Sequence, residues 1–269
     1  MSDDERQRIR SEAAHYSGAD AGDRIVAALD HLRGSLSPHR SASWTEEFAC
    51  QEACLREWAD HLDLLIAPAE LLPKLVKGGQ EHDYHIPVPG DRIVKVTKNG
   101  YFGLTPGLNI ELVAEGKDGR RFHLWDATPY HYLERLRSQN QLIGNLNVLE
   151  GLCDQGQDLA IVTSQPFFQG DPVTQKEIDA WFAAKGFRWI THSAYYRAAD
   201  NLAVFDAHDK NVVRVGDDLI PFDVIPAHPR GGFLEFVEAT LQAGERLSTH
   251  RTTHTTDRCN SFSDSRSFS

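Results

Sequence analysis

Residues 205–224 read FDAHDKNVVRVGDDLIPFDV. One apolar run, LAVF, ends on Asp206, and Asn211 stands five residues later. A second run, LIPF, ends on Asp223, twelve residues past Asn211. The apolar stretches read as short β-strands, so Asp206, His208 and Asn211 fall in the loop between two of them and Asp223 at the end of a third. Two carboxylates and an amide then sit at strand ends, where oxygen ligands can converge on a small hard cation such as Mg²⁺.

The surrounding composition narrows what that loop can serve. The chain has 269 residues with 41% hydrophobic and 25% charged side chains, ordinary values for a chain that folds around its own core. Its net charge of -11 disfavours nucleic acid and anionic membrane as partners, since both are held by clustered Lys and Arg. The N-terminal MSDDERQRIRSEAAHYSG has no apolar core of an export signal, and no run of eighteen apolar residues occurs, so a cytoplasmic setting is expected. The four cysteines, Cys50, Cys54, Cys153 and Cys259, are too scattered for a disulfide framework. Cys50 and Cys54, i,i+4 in a helical pattern, read as core residues.

Along the chain the pattern predicts an α+β fold. Residues 1–70 read as an N-terminal helical extension, with Ile25, Ala28, Leu29 and Leu32 on one helix face and a second helix capped at Thr45. Residues 71–245 read as the catalytic unit. Short strands at RIVKVT, NIELVAEG and RRFHLWD lead to a helix that Thr128 and Pro129 start and Gly144 stops. Strands follow at VLEGLCD and DLAIVTSQ, then a helix capped by Thr174, the strands around Asp206 and Asp223, and a last helix at FLEFVEATLQAGERL. Residues 246–269, dominated by Ser and Thr, read as a disordered tail.

The loop chemistry fits phosphoryl transfer from ATP, which needs a lysine on the phosphates, a backbone loop over them, oxygen ligands for magnesium and a carboxylate beside the attacking hydroxyl. Asp206 is the candidate base, five residues before Asn211 as in the kinase catalytic loop, and Asn211 and Asp223 are the candidate magnesium ligands. Lys95, within RIVKVT, is the candidate phosphate lysine, although a lysine inside a strand is ordinarily a solvated side chain. Gly78 and Gly79 in KGGQEH supply a candidate phosphate loop or simply a turn. Glu134 is the acid of the intervening helix and the candidate partner of Lys95, its alternative being an i,i+3 pair with Arg137. Backbone groups at Ser164 and Gln165, where a strand passes into a proline-containing segment, are placed to meet an adenine edge.

Taken together, EHDYHIPVPGDRIVKVTKNGYFG, YLERLRSQNQLIG, IVTSQPFFQGDPVTQKEIDAWF and DAHDKNVV…LIPFDVI resemble the serine/threonine/tyrosine kinase domain of bacterial and phage polyvalent proteins, over roughly residues 74–229. The resemblance implies a two-lobed protein kinase-like fold, ATP with Mg²⁺, and phosphorylation of hydroxyl side chains. It places Lys95 on the phosphates, Glu134 beside it, Asp206 as base, and Asn211 and Asp223 on the metal. His208 makes the loop similar to the D-x-H-x-x-N form of aminoglycoside and choline phosphotransferases, where it would orient the loop. The chain departs from ordinary protein kinases in lacking G-x-G-x-x-G and A-P-E and in carrying FDV in place of D-F-G, with little chain left for a full C-terminal lobe. A small-molecule phosphotransferase and a non-catalytic nucleotide-binding module therefore stand as alternatives, with the acceptor a protein or small-molecule hydroxyl. A metal-dependent hydrolase built on EHDYH and FDAHD is disfavoured, because His82 and His85 on one strand point to opposite faces.

Overall fold

A computed structural model of the chain describes residues 21–35, 43–86, 92–111, 119–144, 146–154 and 158–256. Cys259 and the end of the Ser/Thr-rich segment lie outside these. The fold is α+β, and every named strand pairs antiparallel. Among the described residues no helix is long and apolar enough to cross a membrane.

Helix α1 (Ala21–Ser35) buries Ile25, Ala28, Leu29 and Leu32, the i, i+3, i+4, i+7 stripe of an amphipathic helix. Helix α2 (Trp44–His61) starts two positions earlier than a cap at Thr45 would give. Ser43 is its cap, accepting from the Glu46 N–H while the Glu46 carboxylate accepts from the Ser43 N–H, a reciprocal box. These two helices are not an appendage. Leu29, Leu32, Leu55 and Ala59 share one cluster with Phe102, Tyr132, Leu133, Leu149, Leu152 and Ile161, so the extension completes the core of the following sheet. Cys50 is exposed, contrary to a core role, whereas Cys54 is half-buried and packs against this cluster.

After a short helix, α3 (Pro68–Leu71), come β1 (His82–His85), β2 (Arg92–Thr97), β3 (Leu104–Ile110) and β4 (Arg120–Asp126). Helix α4 (Pro129–Ile143) follows, then β5 (Val148–Asp154) and β6 (Leu159–Pro166). Thr128 caps α4, Pro129 opens it and Gly144, at φ 93°, ends it, as the turn chemistry predicted. The first sheet has the order β1-β2-β6-β5, and β6 is buried from Leu159 through Gln165 because both its faces are packed, Leu159 and Ile161 into one core cluster and Ala160 and Val162 into another.

The second half holds α5 (Gln175–Ala184), capped by Thr174, then β7 (Arg188–Thr191), β8 (Ala194–Arg197) and β9 (Leu202–Phe205). A hairpin of β10 (Val212–Val215) and β11 (Asp218–Pro221) follows, then β12 (Ile225–Ala227) and α6 (Gly231–Thr256). Its sheet runs β12-β9-β8-β7. Helix α6 continues to Thr256, so residues 246–256 are helical rather than tail. The β3–β4 hairpin is a separate two-stranded sheet whose Leu104, Phe122 and Leu124 pack on Phe205, Phe233 and Leu234 of the second half. That hairpin and α4 bracket the space between the two sheets.

Two expectations test this packing. Leu29→Ala should cost about 2–5 kcal/mol in urea unfolding, the range for a large side chain lost from a filled core; a cost below about 0.5 kcal/mol would mark α1 as peripheral. His82 and His131 are held neutral by burial, their pKa values lowered from the ordinary histidine value. The unfolded chain takes up protons there below about pH 6.5 and the folded chain does not, so stability falls as pH drops, by up to about 1.4 kcal/mol per group per pH unit. Melting temperatures at pH 7 and pH 5 should therefore differ less in His82→Gln than in the native chain, and an unchanged difference would remove His82 as a source.

Candidate active site

Lys95 lies mid-strand in β2, opposite Tyr84 on one side and Thr163 on the other. With strands on both edges its side chain leaves the sheet on one face, and that face looks toward the second half. There its Nζ donates to Asp223 Oδ1 at 3.1 Å. Lys95 is 15% exposed and Asp223 42%, so the lysine is not a solvated edge residue while the carboxylate keeps a face open to solvent. Partial burial opposes ionisation of Asp223, but Lys95 and Arg135 outweigh it and hold its pKa below the usual aspartate value. Asp223 occupies the turn between β11 and β12.

Asp206 ends β9 with φ 58°, in the left-handed region that Asp tolerates better than most residues. The five-residue spacing to Asn211 then closes the loop on itself. Asn211 Nδ2 donates to the Asp206 carbonyl at 2.8 Å and to its Oδ2 at 2.9 Å. His208 sits inside this ring, its Nε2 3.4 Å from Asp206 Oδ1. The Asp223 N–H donates to the Asn211 carbonyl at 3.4 Å, so base loop and acidic turn are joined. Burial pushes the Asp206 carboxyl up, and His208 and Asn211 offset only part of that. Lys95, Asp223, Asn211, His208 and Asp206 thus form one connected set.

The other predicted residues stand outside this connected set. Glu134 does not face Lys95. It accepts from the Tyr130 hydroxyl and lies within 4 Å of Arg33, Arg137 and Arg230, the Arg137 contact being the i,i+3 pair. Gly78 serves its own turn: its N–H donates to Asp83, and a Cβ there would run into the His82 carbonyl. Gly79 has open space beside it, and its carbonyl accepts from Lys98. Ser164 is flanked by β2 and β5, and its carbonyl and hydroxyl both accept from Arg92, so it offers no open edge. Gln165 is paired with Ile93 and buried, next to where the strand ends at Pro166.

The side chain that α4 turns toward Lys95 and Asp223 is Arg135, which sequence reasoning passed over. It is 7% exposed and grips Glu81 with both terminal nitrogens, one at 3.0 Å to Oε2. Beside it, His82 Nε2 lies 2.9 Å from the Tyr132 hydroxyl, which neighbours Thr163 at 3.5 Å. The signal available in the sequence was spacing: Tyr132, Arg135 and Gln139 share one face of α4, and Glu134 lies about 100° away from Arg135. Among the described residues no group of His, Cys, Asp and Glu is arranged to hold a metal by itself.

A cavity of about 410 Å³ opens on Asp206. Its walls include Phe122 and His123 of β4, His192 and Ser193 of the β7–β8 turn, and His208. Among the described residues its lining has no Lys or Arg. Ser193 is itself in the left-handed region at φ 54°, and its carbonyl accepts from the Ala207 N–H, which fixes the turn against the Asp206 loop.

Curated proteins and solved structures gave no match. A family model does match, over residues 125–225, the segment that carries α4, Asp206, His208, Asn211 and Asp223 and leaves out Lys95 and the Gly78–Gly79 turn. Over that segment the chain is similar to the family described as Serine/Threonine/Tyrosine Kinase found in polyvalent proteins, in line with the kinase resemblance drawn from its sequence.

Proposed function

We propose that the chain is an ATP- and Mg²⁺-dependent phosphotransferase, a protein kinase acting on Ser, Thr or Tyr hydroxyls, with the two sheets as its two lobes. The observation that carries this reading is the linked set Lys95–Asp223–Asn211–Asp206, which joins a lysine strand to an aspartate loop across the space between the sheets.

The donor set suits a hard cation. Asn211 commits its amide nitrogen to Asp206, which leaves Oδ1 as its ligating end, and Asp223 stays ionised with one oxygen on Lys95. These two side chains would hold Mg²⁺, which when bound neutralises charge on the phosphates. Lys95, freed in part from Asp223, would contact the phosphates with a compact ammonium. Asp206, half-exposed and facing the cavity, would accept the acceptor's hydroxyl proton. The acceptor oxygen bonds to the terminal phosphorus, the bond from that phosphorus to the bridging oxygen breaks, and ADP leaves. Asn211 keeps the Asp206 carboxylate from turning away.

A small-molecule acceptor is the second reading, supported by His208 between Asp206 and Asn211 and by a cavity of about 410 Å³, the size of a ligand pocket.

The test is incubation with Mg²⁺ and γ-labelled ATP, followed by intact mass and label transfer to the chain and to added protein. Asp206→Ala should lower transfer by about 10²-fold or more. Asp223→Ala should abolish the magnesium-dependent activity of a chain that still melts cooperatively, and Lys95→Ala should weaken transfer strongly. Retained turnover in Asp206→Ala would overturn the assignment of the base; label on a sugar or amino alcohol but never on protein would select the second reading.

A further inference from the structure

Helix α4 meets the candidate nucleotide site through cationic and neutral polar side chains, where an acid was expected. Arg135 is a guanidinium that cannot shed its charge, and it lies almost wholly inside the protein. Burying such a group is expensive, and apolar residues of the same size commonly stabilise a core as well or better. What a forked ion pair adds is direction, because two parallel hydrogen bonds fix one backbone segment relative to another. The segment fixed here is the turn of residues 77–83, which the paired backbone of Val76 and Tyr84 closes.

The pair is built into its surroundings from several sides. The Glu81 carbonyl accepts from the Lys98 N–H at 3.1 Å, which ties the turn to the end of the lysine strand. Gly103 stands against the Glu81 carboxylate at φ 75°, where a Cβ would land on it. One turn further along α4, Gln139 Nε2 donates to the Pro221 carbonyl at 3.2 Å, two residues before Asp223. On the other side of Arg135, Tyr132 meets His82 and Thr163, the latter directly opposite Lys95 in the sheet. Residues at i, i+3 and i+7 of one helix therefore touch the glycine turn, the strand beside Lys95 and the turn that presents Asp223. The Arg135 charge also acts on Asp206 and Asp223, favouring the ionised form of both.

We infer that Arg135 is a positioning residue for the nucleotide site. Its forked pair with Glu81 docks the Gly78–Gly79 turn onto helix α4 and holds that turn in register with Lys95 and Asp223. The inference rests on the phosphotransferase reading. In it the helix contributes a cation tied to a carboxylate of the turn, in place of an acid tied to the lysine, and Glu134 takes no part.

The experiment compares the native chain with the double variant Arg135→Met, Glu81→Leu, which removes the pair without leaving a buried charge unpaired. Mg²⁺-ATP affinity is measured by calorimetry and the melting temperature without ligand alongside it. The double variant should melt near the native temperature and bind Mg²⁺-ATP about tenfold more weakly. A merely structural role would lower the melting temperature and leave the affinity of the folded protein unchanged. Arg135→Lys keeps the charge but loses the fork, and should also bind more weakly; it decides the matter if the double variant does not fold. Native affinity in a folded variant overturns the inference and leaves the phosphotransferase reading standing. A native chain that does not bind Mg²⁺-ATP overturns that reading, and this inference with it.

Discussion

The ion pair between Lys95 and Asp223 spans 128 residues of sequence and joins a strand of the first sheet to a turn of the second half. Its contribution to stability is small, since one partner is substantially solvated and exposed pairs are worth little. Its importance is geometric. A lysine in the middle of a four-stranded sheet can reach this aspartate only if the two sheets keep a set distance and angle. Helix α4 and the β3–β4 hairpin set both. The helix packs Leu133 and Leu136 into the first core and sends Gln139 to the Pro221 carbonyl, while the hairpin buries Phe122 against Phe205 and Phe233 of the other half.

Around this pair the polar groups divide by environment. Asp223, near Lys95 and Arg135, is held ionised, whereas burial raises the pKa of Asp206 despite its bonds to Asn211 and His208. Two aspartates seventeen residues apart in sequence thereby acquire different acidities, the condition under which one can serve as a charge anchor and the other can exchange a proton. The chain as a whole is strongly acidic, yet the interior of the site is lined by Lys95 and Arg135. Net charge describes the surface potential and says little about such a local arrangement.

At three helix ends local chemistry was legible to the residue. Thr128 with Pro129, Thr174, and Gly144 mark helix ends because capping depends on side chains within three or four positions. The Asp206-to-Asn211 spacing is likewise local, and its meaning is one amide reaching both the carbonyl and the carboxylate of Asp206. The choice of Glu134 over Arg135 failed for a rotational reason. Chemical type favoured the acid as a partner for lysine, but successive helix residues point about 100° apart, and the core packing of Tyr132, Leu133 and Leu136 turns Arg135 inward and Glu134 toward three arginines. At Gly78 the need for a glycine was readable, and the close approach that requires it is its own chain at His82, as in a turn. Ser164 does lie near a strand end, at Pro166, but strands flank it on both sides and close its edge.

The sequence by itself determined the α+β class, the order of most helices and strands, the caps at Thr128 and Thr174, and the loop that carries Asp206, His208 and Asn211. Each of these follows from periodicity or from contacts between residues close in the chain. Only the tertiary structure decided that the N-terminal helices complete the core, that Lys95 meets Asp223, and that Arg135 with Glu81 occupies the helix side of the site. Those outcomes depend on how far each helix is rotated and which strands become neighbours, and both are set by the burial of side chains from distant parts of the chain.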